Sequence, residues 1–257
     1  MDRKFDLIMW TYNSEKNLPA VLKRILEVIP SECINRKIIT DDHSKDRTRE
    51  IAEKFGWEVH MNQGKGLNDN TRTAVELATA PFFLSFEHDI LLARNWWQVM
   101  SKYMDNPKVA VAQGVRVSTN PAFRVLDNLG NQRTDFAHES LDNNIGRTEI
   151  VKRLGYNEVA TPPKLAAEGL QWVVDKNAVS DHIRPDSWDN IKHDYKMQTV
   201  FPITRKTKLS YFRVLLTSPI RSAQLAYKTR VPLLIVLYPI DRYGILIGAL
   251  KSRKPLS

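Results

Sequence analysis

Apolar residues arrive in short runs separated by stretches with helical spacing, and this alternation organises the first half of the chain. The run from about Phe5 to Trp10 predicts a first strand. Leu18, Val21, Leu22, Ile25, Leu26 and Ile29 then recur at the spacing of one helix face, and Pro30 stops the helix. A second strand is predicted at about Arg36–Thr40, a helix over Thr48–Phe55 closed by Gly56, and a short third strand at Trp57–Met61. The turn Gly64-Lys65-Gly66 precedes a helix from about Asn68 to Ala78, and Phe82–Phe86 reads as the fourth strand. A helix containing Trp96, Trp97, Val99, Met100 and Tyr103 leads to one more strand, Val109–Val117. Strand and helix in strict alternation predict an α/β fold: right-handed crossovers and a mainly parallel sheet flanked by helices. From Asn120 to Asp189 the pattern weakens, Asn, Asp, Gly and Pro become frequent, and a loop-rich half is expected.

Acidic residues sit at the strand ends. Asp41-Asp42 closes the second strand and Glu87-His88-Asp89 the fourth, while Asp6 lies in the first. Carboxylates crowded together repel unless a cation or a donor-rich ligand joins them. In open α/β sheets the ligand crevice lies outside the carboxyl ends of the strands, so these clusters announce a site.

Composition adds two constraints. The 257 residues, 42% apolar and 26% charged, suffice for a full core, and the lone Cys33 forms no disulfide within the chain. With no apolar leader after Met1, a cytosolic protein is expected. The formal charge of +9 is concentrated: residues 205–257 hold eleven Lys or Arg against one acid, Asp241. The tail alone therefore accounts for the basic balance, which separates two roles along the chain.

With these residues in place, the chain resembles the family-two glycosyltransferases, which carry the Rossmann-like GT-A fold and use nucleotide sugars. Thr11-Tyr12-Asn13-Ser14-Glu15 is similar to the family's opening motif, and Asp41-Asp42-His43-Ser44-Lys45-Asp46-Arg47-Thr48 to its nucleoside-binding Asp-Asp-Gly-Ser-x-Asp-x-Thr. Glu87-His88-Asp89 resembles the metal-binding Asp-x-Asp. The resemblance implies a nucleotide-sugar site of Thr11, Tyr12, Asn13, Glu15, Asp41, Asp42, Arg72, Glu87 and His88. It also implies a Mn²⁺ or Mg²⁺ ion on Asp89, with Glu87 and His182 contributing. Such an ion, held by hard oxygen ligands, neutralises a departing diphosphate.

The segment Gly146–Glu158 resembles the family's acceptor-side helix, but the Glu-Asp pair that normally supplies the general base reads Glu168-Gly169 here. Three readings are open. Glu168 serves as base, Glu158 or Asp175 substitutes, or the acceptor is already ionised, as a lipid phosphate is. A non-catalytic sugar-nucleotide or glycan-binding protein is the competing class.

The expected organisation is a GT-A domain over 1–204, with a nucleotide-sugar-binding half at 1–117 and an acceptor-side half at 118–204. A basic, amphipathic helical tail over 205–257 follows. Val231–Leu250 is long enough to span a bilayer, but Asp241 and Arg242 lie at its middle, where a charge costs about 2.5–3.5 kcal/mol. Two shorter helices in the headgroup region are expected instead, with Tyr211, Tyr227, Tyr238 and Tyr243 near the interface. The expected partners are a nucleotide-sugar donor, a lipid-linked (polyprenyl phosphate) or glycan acceptor, and the inner membrane face. No nucleic acid is expected, because no recognised binding module accompanies the basic tail.

Overall fold

The computed structural model describes residues 3–131, 141, 143–157, 160–183, 192 and 208–251. The chain divides into two compact units, Met1–Val117 with Phe136–Ile183 and Ser118–Asp135 with Arg184–Ser257. The boundary expected at 204 falls outside the described residues.

The first unit is built on an eight-stranded sheet. Its strands are β1 (Phe5–Thr11), β2 (Ile34–Asp41), β3 (Glu58–Met61), β4 (Phe82–Glu87), β5 (Ile90–Leu91), β6 (Val109–Ser118), β7 (Asn143–Arg147) and β8 (Gln171–His182), in the spatial order β3-β2-β1-β4-β7-β6-β8-β5. The block β3-β2-β1-β4 is parallel throughout. Beyond β4 the sheet turns antiparallel, through β4 with β7, β6 with β7 and β5 with β8.

β1 shows no polar alternation because it is central and covered on both faces; all seven of its residues are buried. Leu7 and Met9 point to one face, against the Leu18, Leu22 and Ile25 stripe of α1 (Leu18–Val28) and Ala52 of α2 (Thr48–Lys54). Trp96 and Met100 of α4 (Trp96–Met100) complete that face. Ile8 and Trp10 point to the other face, where they meet Ala74 and Val75 of α3 (Gly66–Leu77) and Val151 of α6 (Thr148–Leu154). Each such fully buried Leu, Ile or Met contributes about 1.5–3 kcal/mol. The two layers clamp the parallel strands, so their carboxyl ends are fixed relative to one another.

The half expected to be loop-rich is more regular than its composition suggests. Among the described residues it holds β7, β8, α5 (Pro121–Asn131), α6 and α7 (Thr161–Ala167). In the second unit α5 is joined by α8 (Lys208–Leu216), α9 (Ser218–Thr229) and α10 (Leu234–Lys251). Its core gathers Ala122, Phe123, Ala226, Leu234 and Leu237. Instead of two shorter helices, α10 is continuous through Pro239.

Candidate active site

Register sets the site. Thr11 is level with Asp41 across β1 and β2, and Trp10 is level with Glu87 across β1 and β4. Three neighbouring strands therefore end together, with Thr11, Asp41 and Glu87 along one edge. Asp6 is not part of this edge. It lies near the start of β1, fully buried, and accepts from Thr79 N, Ala80 N (2.8 Å) and Asn35 Nδ2 (2.8 Å). Its acidity is consumed in tying strand starts, which corrects the expectation that three acidic clusters share one site.

Two motifs interlock. Asn13 N donates to Ser44 Oγ (2.8 Å), Lys45 N donates back to Asn13 Oδ1 (2.9 Å), and Ser14 N donates to Thr48 Oγ1 (2.6 Å). Glu15 N donates to Asp46 Oδ2 (3.1 Å), and Glu15 Oε2 accepts from Arg47 N (3.1 Å). Asp41 lies beneath this zipper at 0% exposure and accepts from Thr11 Oγ1 (2.9 Å), Ser44 Oγ (2.5 Å) and Ser44 N (2.8 Å). The guanidinium of Arg49 stands 4.0 Å from Oδ1, the oxygen that accepts from Ser44 N. His43 occupies the position of the family's glycine and adopts φ +62°, and Asn13 adopts φ +47°; His and Asn are among the residues that tolerate this region best.

Asp42 is half-buried and ties the next loop, accepting from Asn62 Nδ2 (2.8 Å) and Gly66 N (2.9 Å). Gly66, at φ +78°, opens α3 there. Tyr12 is the outward member of the first motif, at 55% exposure. Arg72 is exposed on α3 and bonds along its own helix, to Asp69 (2.9 Å) and near Glu76 (3.9 Å).

Glu87 ends β4, and His88-Asp89 forms the turn into β5. Antiparallel pairing of Ile90 with His182 and the bond from Ile183 N to Asp89 O (2.8 Å) bring β8 against this turn. His182 Nε2 thereby lies 3.1 Å from Asp89 Oδ2, joining residues 93 positions apart. Burial pushes the Asp89 carboxyl up, but the His182 bond and the charges of His182, His88 and Arg116 outweigh it and hold the group below its ordinary range. Asp89 Oδ1 is buried without a hydrogen-bond partner, as is His88 Nδ1.

A buried carboxylate oxygen without a donor suits a cation. His182 Nε2 lies beside the same carboxylate, so Asp89 and His182 are the residues that would hold such an ion. The residues therefore fit a divalent ion. Among the described residues no cluster of three or more His, Cys, Asp or Glu is arranged to hold a metal. Ligand oxygens and water would have to complete the coordination, as is usual for Mg²⁺-type sites.

Arg116 escaped the sequence reading. It extends from β6 and donates to Glu87 Oε2 (3.3 Å), so a guanidinium stands beside the acidic turn. Its only sequence signal is being the one charge inside the apolar run Val109–Val117. Asn62, which holds Asp42, was likewise not singled out.

The base candidates differ from the turn. Glu168 follows α7 and makes a two-armed ion pair with Arg153, at 2.5 and 2.6 Å. That bond holds its carboxyl below the ordinary range. Burial pushes the Asp175 carboxyl up, but bonds from Asn177 and Tyr103 and the charge of Lys102 outweigh it, so it too is lowered. Glu158 lies outside the described residues.

The profile of Glycosyl transferase family 2 matches residues 6–159, well over half the chain, and the chain belongs to that family. No curated protein sequence matches it. A mannosyltransferase from Pyrobaculum calidifontis, solved with GDP-Man and Mn²⁺, is similar in fold at a TM-score of 0.62 and 15% identity, covering 100% of this chain and 78% of that one. Glucosyl-3-phosphoglycerate synthase from Mycobacterium tuberculosis, solved with Mn²⁺, UDP and glucosyl-3-phosphoglycerate, gives 0.54 and 13%, covering 74% and 75%. TarS of S. aureus, residues 1–349, gives 0.54 and 17%, covering 96% and 90%. The fold is thus the GT-A fold, with a mixed α/β sheet flanked by helices.

Proposed function

We propose that this glycosyltransferase moves a sugar from a nucleotide donor to an anionic oxygen of a lipid-linked phosphate, with Mn²⁺ or Mg²⁺ held by Asp89 and His182. The observation that carries the donor half is the unpartnered, buried Oδ1 of Asp89, beside His182 at the end of the parallel strands. The bound ion supplies charge neutralisation for the diphosphate. Glu87 is held by Arg116 and sets the position of the turn, while the Arg116 guanidinium faces the same phosphates. Tyr12 and Asp42 border the nucleoside, and the Asn13–Glu15 zipper keeps that border rigid.

In the transfer, the bond from the anomeric carbon to the diphosphate oxygen breaks and its electron pair leaves with the diphosphate. The acceptor oxygen forms the new bond from the opposite face, which inverts the anomeric centre. A general base works best when tuned towards the operating pH, whereas Glu168 and Asp175 are both tuned downward. A phosphate acceptor is already an anion and requires no such base. Such an acceptor lies in a membrane, and the basic tail over 205–257 is the segment that attaches the protein to the cytosolic face.

The test compares polyprenyl phosphate with hydroxyl glycans as acceptors for wild type and Glu168→Gln. Transfer to the phosphate with turnover in the variant within about threefold supports the reading. Transfer only to hydroxyls, with a loss of about a hundredfold or more in Glu168→Gln, returns the base to Glu168.

A further inference from the structure

We infer that the outer face of α8, α9 and α10 is a docking surface for an anionic lipid bilayer, with α10 lying in the plane of that surface. The inference adds a surface to the lipid-linked acceptor reading and rests on that reading only for its purpose. Its support comes from the second unit alone.

An ordinary surface helix turns its charges to water and its apolar side inward. α10 buries Leu234, Leu237, Tyr238 and Leu246 inward as expected, but it buries its two central charges as well and leaves apolar residues outside. The Arg242 side chain is 7% exposed and that of Asp241 15%; the two pair with each other, and the Arg242 guanidinium lies 4.9 Å over the Tyr238 ring. The two charges that argue from sequence against membrane contact are therefore turned away from the outer face. Val236, Tyr243 and Leu250, spaced seven apart along one stripe, are each about half exposed. On the neighbouring helices Leu216, Ile220 and Tyr227 are more exposed still, at 64%, 67% and 87%.

The exposed charges interleaved with these residues are of one sign: Arg213, Arg221, Lys228 and Arg230. Asp241 is the sole acid of the three helices, and it is paired inward. Charge decides the occupant. A second copy would bring a basic face against a basic face. A nucleic acid would meet the cations but leave the apolar stripe in water. An anionic bilayer takes both, with phosphates on the Arg and Lys side chains and acyl chains on the stripe. No helix among the described residues is long and apolar enough to cross a membrane.

The test is co-sedimentation of the full chain with phosphatidylcholine vesicles, with and without phosphatidylglycerol, at low and high salt. Wild type is expected to bind the anionic vesicles and to be released by salt. Val236→Asp with Tyr243→Asp, and separately Arg221→Glu with Lys228→Glu, are each expected to lower partitioning about tenfold or more. Circular dichroism and nucleotide-dependent thermal shift, measured without vesicles, confirm that both variants are folded. Absence of wild-type binding, equal binding of the folded Val236/Tyr243 variant, or equal binding to neutral vesicles overturns the proposal. So does a salt-stable dimer, seen by sedimentation velocity, that the apolar variant abolishes. Vesicle binding without nucleotide binding sinks the donor-site reading and leaves this one standing; the reverse result does the opposite.

Discussion

Replacing Asp41 distinguishes a carboxylate that holds the site together from one that touches the nucleoside. The group is fully buried and takes three hydrogen bonds, from Thr11 Oγ1, Ser44 Oγ and Ser44 N. A hydrogen bond to a charged group contributes about 1.5–3 kcal/mol, and bonds sharing one acceptor do not add fully. Asp41→Ala also strands the Ser44 amide, whereas the two hydroxyls can rotate to other partners. The expected loss is about 3–5 kcal/mol, a large part of the 5–15 kcal/mol that stabilises a typical protein. Asp41→Asn keeps one carbonyl for Ser44 N and lets both hydroxyls accept from its amide, so about 1–2 kcal/mol is expected. Urea unfolding at fixed pH measures both. An Asp41→Ala protein as stable as wild type to within about 0.5 kcal/mol, but binding nucleotide tenfold or more weakly, refutes this reasoning and makes Asp41 a direct ligand contact.

Three further outcomes follow from named contacts. Burial, with the bond to Asp175, pushes the Tyr103 hydroxyl from 10.0 up to about 12. Its neutral form is favoured by folding, so this contribution is complete below pH 10 and is lost as pH rises towards 12; tyrosinate absorbance should show a late-titrating group that Tyr103→Phe removes. Asp175 is lowered, so its contribution is present above the ordinary carboxylate range and fades as pH falls through the lowered value; Asp175→Asn should flatten the acid limb of stability against pH. Arg116→Met removes the cation beside Glu87, and donor affinity should fall about tenfold by calorimetry while the unfolding midpoint changes little; unchanged affinity would leave Arg116 a structural partner of Glu87 only.

The parallel half of the fold was legible because burial wrote itself into the sequence. β1 is apolar on both faces, α1 carries a single stripe, and Pro30 and Gly56 mark the stops. β7 was not legible. Its Asn143 and Asn144 are fully buried and are made tolerable by tertiary partners, Trp96 Nε1 (3.2 Å) and the Tyr156 hydroxyl (2.6 Å). No local pattern announces such compensation. β8 was hidden likewise, since Asp175 and Lys176 interrupt its alternation and Asp175 is satisfied by Tyr103, 72 positions away. At the site, the motif residues were readable one by one, but their bonds were not. The mutual locking of Asn13–Glu15 with Ser44–Thr48 depends on two strands ending together, and the Glu87–Arg116 contact depends on how β6 lies in the sheet.

The central claim is that Asp89, with His182, completes a metal-dependent nucleotide-sugar site. It is tested most directly by titrating GDP-, UDP- and dTDP-sugars into wild type and Asp89→Ala, with Mn²⁺ and with chelator, and reading heat of binding and thermal shift. One nucleotide sugar binding wild type with Mn²⁺, weakened about a hundredfold by chelator and equally by Asp89→Ala, is the predicted result. Binding that is indifferent to both the metal and Asp89, or no binding of any donor to a folded wild type, contradicts the account.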